Sequence, residues 1–151
     1  MLHTSCIGVR NRIEISLMAH SPEEIVNSYI QAYFDWNNRS DARTNLVVGD
    51  EEKYGRSMKV ATDEYQQILN RLCVKSTVTY STNFGNNPLH DPKSETIESV
   101  DIQGTTALVR TRDIRKFGPL VSYEYHLVQE DGQWRICKLL YVDDISADDC
   151  L

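Results

Sequence analysis

Residues 75–142 change from helical spacing to an apolar–polar alternation of period two, and nothing else in the chain constrains its fold as strongly. The alternation predicts five strands, at 74–80, 96–102, 105–113, 120–130 and 133–142. The last two are separated by Asp131-Gly132, a pair that favours the left-handed backbone of a tight hairpin turn. Upstream the apolar residues recur every three to four positions. Helices first and a long antiparallel meander afterwards predict an α+β domain, with N-terminal helices packed on a bent antiparallel sheet.

The first helix has a well-marked start. Ser21 can accept from the free backbone N–H groups, Pro22 suits the first helical position, and Glu24 can complete a capping box. Ile25, Val26, Tyr29, Ile30, Tyr33 and Phe34 then form an apolar, aromatic face. Asn37-Asn38 is expected to end that helix, with a weaker helical piece at 41–47 and an interruption at Gly49 and the charged residues 50–53. A further helix is predicted from Ser57 to Leu72, burying Met58, Ala61, Tyr65, Ile68, Leu69 and Leu72. Residues 83–94 carry Gly85, Asn86, Asn87, Pro88 and Pro92 with no alternation, which makes them the one long loop. Long loops in compact domains carry function more often than short ones.

On the final hairpin, Val121, Tyr123, Tyr125 and Leu127 share one face. Trp134, Ile136, Lys138 and Leu140 share another, opposite Arg135, Cys137, Leu139 and Tyr141. Apolar groups on both faces predict cover on both, by helices on one side and by a partner or a second copy on the other.

Twenty-two acidic against 16 basic residues leave a net charge of −6. That balance repels phosphate, so nucleic acid and anionic membrane are not expected partners, whereas a basic protein is compatible. The four cysteines, Cys6, Cys73, Cys137 and Cys150, form no C-x-x-C pair, and Cys73 and Cys137 lie in apolar patterns. They read as reduced thiols in a cytoplasmic protein. No apolar run reaches the ~20 residues that a membrane helix requires. Residues 1–20 lack the apolar core and cleavage site of a signal peptide and read as an extension. Its Ile13, Ile15 and Leu17 could form a short extra strand, or Met18 could be the natural start.

The chemistry-bearing patterns are sparse. His3, His20, His90 and His126 have no metal-ligand spacing, so no metal is expected. No glycine-rich phosphate loop and no nucleophile elbow occurs, and neither a cofactor nor a catalytic residue is assigned. A general acid–base pocket is the reading hardest to exclude. Tyr33, Asp35, Asp113 and His126 could line one cavity, where burial among rings would raise a carboxyl pKa. Tyr33 and His126 are more simply explained as a core tyrosine and an exposed or hydrogen-bonded strand histidine, and Asp35 as a residue of the solvated helix face.

The run Ser21-Pro22-Glu23-Glu24-Ile25-Val26 with Tyr29 and Tyr33, followed much later by Glu130-Asp131-Gly132-Gln133-Trp134-Arg135-Ile136, resembles the NTF2-like superfamily over residues 21–143. Within it, Phe84-Gly85-Asn86-Asn87-Pro88-Leu89-His90-Asp91-Pro92 and Tyr125-His126-Leu127-Val128 look most like the NTF2 fold immunity proteins of bacterial polymorphic toxin systems. The resemblance implies an NTF2-like (cystatin-like) cone and a non-catalytic cytoplasmic protein that binds and blocks a cognate toxin. On that reading Phe84, Asn86, Asn87, His90, Asp91, Arg115 and Lys116 make the contact surface, and residues 144–151 form an acidic tail. The short segment between the helices departs from the superfamily, which often inserts a hairpin there, and argues against a deep lidded pocket. The alternatives are a small-molecule isomerase or dehydratase of the same fold, and a ligand-binding or dimeric accessory domain that pairs through its sheet.

Overall fold

Ser21 begins the fold as expected: its side chain accepts from the Glu24 amide at 3.2 Å, and Pro22 opens the helix. The computed structural model describes residues 20–79, 82–115, 120–142 and 147–149. Helix α1 spans Pro22–Asn45 without a break, so Asn37-Asn38 does not end it. Asn37 is buried, and its amide bonds to a distant loop and not to its own backbone, which removes the reason an asparagine usually disrupts a helix. The expected separate piece at 41–47 is the end of this helix.

Helix α2 spans Glu51–Leu72 and starts six residues before the expected Ser57. The charged stretch that looked like an interruption is its first turn. Asp50 caps it, accepting from Lys53 N at 3.1 Å, and Glu51 and Glu52 suit the positive end of the helix dipole. The two helices pack closely because the residues between them are small. Thr44 and Ser57 share a 2.7 Å hydrogen bond, with Ser40 and Ala61 buried alongside. Trp36 donates its indole N–H across the same seam to the Ala61 carbonyl at 2.9 Å.

The sheet is a five-stranded antiparallel meander in sequence order: β1 Glu95–Gln103, β2 Thr106–Asp113, β3 Val121–Glu130, β4 Gln133–Val142 and β5 Ala147–Asp149. The expected Asp131-Gly132 hairpin is present, with positive φ at both residues. Strand β5 lies in the segment read as an acidic tail and pairs with Leu140–Val142.

The segment at 74–80, expected as a strand, is not one in its described residues 74–79. It makes a single parallel bridge, Cys73 to Ile136, and then runs back along α2. Gln66 of α2 replaces a neighbouring strand there, donating to the Thr77 carbonyl at 3.0 Å and accepting from Thr79 N at 2.9 Å. Alternation alone could not distinguish these two partners for the backbone.

Helix α1 lies on the sheet and α2 packs on α1. The core holds Val26, Tyr29, Ile30 and Tyr33 of α1, Leu69 of α2, and Val109, Tyr125, Leu127, Ile136 and Leu139 of the strands. Trp36, not Phe34, completes the apolar face of α1. A bulge corrects the expected facing of β4. His126 pairs with Lys138 but Leu127 with Ile136, so Cys137 is the extra residue. Beyond it Leu139 and Tyr141 share the Tyr125 and Tyr123 face, while Lys138 and Leu140 turn away with His126 and Glu124. Cys137 is therefore exposed and not packed in an apolar pattern.

Candidate functional site

Three strands bring polar groups to the helix-facing side at one end of the sheet. Glu95 opens β1, Thr111 and Asp113 end β2, and Tyr123 and Tyr125 follow on β3. Glu95 pairs with Asp113 across the ladder, and Thr111 with Tyr123. All five side chains are buried. The Tyr125 hydroxyl donates to Glu95 Oε2 at 2.6 Å, and Thr111 donates to the same oxygen at 3.0 Å.

His90 comes to this cluster from the loop at 83–94. Its Nδ1–H donates to Glu95 Oε1 at 2.6 Å, and the Tyr125 oxygen lies 3.1 Å from the same nitrogen. Only 2% of His90 is exposed. Tyrosine rings surround the imidazole: Tyr33 and Tyr29 meet it edge-on at 4.9 and 5.4 Å, and Tyr123 lies tilted at 4.6 Å. Behind them Tyr29 and Tyr65 share a 2.9 Å hydroxyl hydrogen bond. Burial pushes the Tyr29 and Tyr125 phenols well above their ordinary value, reinforced by Tyr65 for the first and by the Glu95 charge for the second. Tyr33 is raised by burial as well.

The loop is strapped across this end of the sheet almost wholly by side chains. Asn37 pairs with the Gly85 peptide, Tyr33 donates to the Asn83 carbonyl at 3.3 Å, and Tyr123 donates to the Leu89 carbonyl at 3.1 Å. Arg115 binds Asp113 Oδ2 at 3.0 Å and Asn87 Oδ1 at 2.6 Å, and also donates to the carbonyls of Pro88 and Leu89. Asp91 folds the end of the strap: its side chain accepts from Lys93 N and its carbonyl from Glu95 N.

The sequence-predicted residues thus separate into groups. Asn86 and Asn87 are exposed on the strap, and a shallow hollow of about 150 Å³ lies among Tyr33, Asn37, Phe84 and Asn86. Phe84 is half-buried, edge-on to Trp36 at 5.7 Å. His90, expected on the contact surface, points inward. Arg115 is committed to the strap, and Lys116 lies outside the described residues. Tyr33 and Asp113 border the His90 cluster, but Asp35 and His126 do not join them. Asp35 is on the exposed flank of α1, bonded to Gln31, where it lines an open cleft of about 740 Å³ with Ile25, Arg71 and Trp134. His126 lies on the opposite face of the sheet, 3.3 Å from Glu124, which also pairs with Arg110. The four do not form one acid–base pocket.

Sequence reasoning missed Glu95 and Thr111 as members of the cluster. The signal was present in spacing: Glu95 and Thr111 fall on the inward parity of their strands, where a buried polar group requires a partner. At the rim beside the strap, Leu89, Ile114 and Leu120 are 51, 59 and 65% exposed. Among the described residues no cluster of His, Cys, Asp and Glu has the arrangement of a metal site, and no helix is long and apolar enough to cross a membrane. The chain matches no family model, no curated protein and no solved structure.

Proposed function

We propose that this chain is a non-catalytic immunity protein with an NTF2-like cone, which binds and blocks the toxic domain of a bacterial polymorphic toxin. The observation that carries the reading is the strap. It holds Asn86, Asn87 and Leu89 outward on a segment tied down by Arg115, Asn37, Tyr33 and Tyr123, beside the exposed side chains of Ile114 and Leu120. A pre-ordered rim of apolar and amide groups loses little entropy on binding, which suits a protein whose task is capture. The net charge of −6 favours fast association with a basic partner. The space between α1 and the sheet, where an enzyme of this architecture would hold a substrate, is filled by His90 and tyrosine rings.

On this reading a toxin domain is encoded beside this chain, and the test is co-expression with the product of that neighbouring gene. Growth is expected to be restored and the two proteins to co-purify. Leu89→Asp combined with Ile114→Asp is expected to abolish both effects while the fold, read by circular dichroism, is retained. Absence of both rescue and binding by the unaltered chain would overturn the reading.

A further inference from the structure

The chamber around His90 has walls and an occupant that are held in different ways. Its walls belong to regular elements. Tyr29 and Tyr33 come from α1 and Glu95, Thr111, Tyr123 and Tyr125 from the strands, and Oε2 of the Glu95 carboxylate is held by the strand residues Thr111 and Tyr125, leaving Oε1 to the loop. The occupant belongs to the strap, which lies outside every helix and strand. The imidazole meets what a bound heteroaromatic ligand would meet: ring edges and faces at 4.6–5.4 Å and one short hydrogen bond to a buried carboxylate.

We propose that this chamber is a binding pocket for a small flat N–H heteroaromatic group of the imidazole class, and that His90 is its built-in ligand, delivered by the strap. Withdrawing the imidazole leaves Glu95 Oε1 buried without its donor and removes the flat ring against which Tyr29, Tyr33 and Tyr123 pack. The vacated site therefore favours a flat donor over an apolar ring or an anion. In the intact chain an external ligand and the strap compete for one place. Entry of the ligand and release of the strap are then one equilibrium, and apparent affinity is reduced by the small open fraction.

The experiment uses full-length His90→Gly titrated with imidazole, with benzene and acetate as controls. Saturable binding by imidazole alone is expected, with a melting temperature that climbs back toward that of the unaltered protein. His90→Gly combined with Glu95→Gln is expected to bind imidazole at least tenfold more weakly. If His90→Gly folds and imidazole gives no saturable response, or if the double variant binds equally well, the proposal is wrong. If His90→Gly does not fold alone, refolding in imidazole is the readout, and failure of imidazole to restore the fold counts equally against it. A second variant keeps the native occupant. Asn37→Ala cuts the tie to Gly85, and adding 4-methylimidazole is expected to speed amide exchange across residues 83–94. Ligand binding that leaves those amides unchanged would overturn the competition.

Discussion

Asn37 and Gly85 pair through both halves of an amide, Nδ2 donating to the Gly85 carbonyl at 2.7 Å and Oδ1 accepting from its N–H at 3.0 Å. A side chain in the middle of α1 thereby serves a peptide 48 residues away much as a neighbouring strand would. Asn37→Ala is expected to destabilise the fold by about 1–2 kcal/mol, the cost of leaving half-buried peptide groups unpaired. Asn37→Asp, which keeps the acceptor but loses the donor, should recover only part of that. Urea unfolding of the two variants measures the difference.

Arg115 and Asp113 form the other anchor of the strap. Asp113 is buried, its Oδ2 is bound by Arg115, and its Oδ1 has no hydrogen-bond partner among the described residues. Removing the guanidinium leaves that carboxylate buried and uncompensated. Arg115→Ala is expected to cost about 2–3 kcal/mol. Asp113→Asn on the Arg115→Ala background should restore part of the loss, a coupling that a double-mutant cycle in urea would read directly.

At the far end of α2, Arg135 Nη1 donates to the carbonyls of Asn70, Arg71 and Cys73 at 3.1–3.2 Å. These are the groups a helix terminus leaves free, and the positive charge also suits the helix dipole. Arg135→Met, which keeps the stem, should lower stability by about 1 kcal/mol or more. Faster amide exchange in the last turn of α2 is the specific sign to look for.

Burial raises the phenol pKa values of Tyr29 and Tyr125 well above the ordinary 10.0. The folded state therefore holds protons that the unfolded state releases above that value. This contribution to stability is fully present below pH 10 and is lost as the pH climbs beyond it. Absorbance at 295 nm should show these tyrosines ionising only together with unfolding. Tyr125→Phe should flatten the alkaline limb of the stability curve.

Cys73 is buried, and desolvation pushes its thiol up to about 12. In a variant with Cys6, Cys137 and Cys150 replaced by alanine, Cys73 should resist a thiol reagent at neutral pH and react at once in urea. Rapid labelling of the native variant would show that the join between α2 and β4 opens readily.

The α+β class, the start of α1, the Asp131-Gly132 hairpin and the inward face of β3 were legible in the sequence because each depends on neighbours within a few residues. The rest depended on distant partners. Asn37 stays helical because Gly85 takes its amide, and residues 74–79 leave the sheet because Gln66 satisfies their backbone. Of the site, Tyr33 and Asp113 were read as candidate lining of one cavity with Asp35 and His126, which lie elsewhere. His90, read as a contact residue, is buried against Glu95. A histidine in a polar loop reads as exposed until a buried carboxylate is known to lie opposite it, and Glu95 acquires that meaning only through its register with Asp113.

The bulge at Cys137 makes that residue a spacer. Removing it would leave Trp134, Ile136, Leu139 and Tyr141 on strict alternation, all still facing the helices, with Lys138 and Leu140 still facing away. A one-residue deletion there would spare the composition of the core and remove only the local bend and added twist that a bulge gives a strand. Curvature and core identity are thus encoded separately in β4, and the shape of this sheet could drift in evolution while its interior stayed the same.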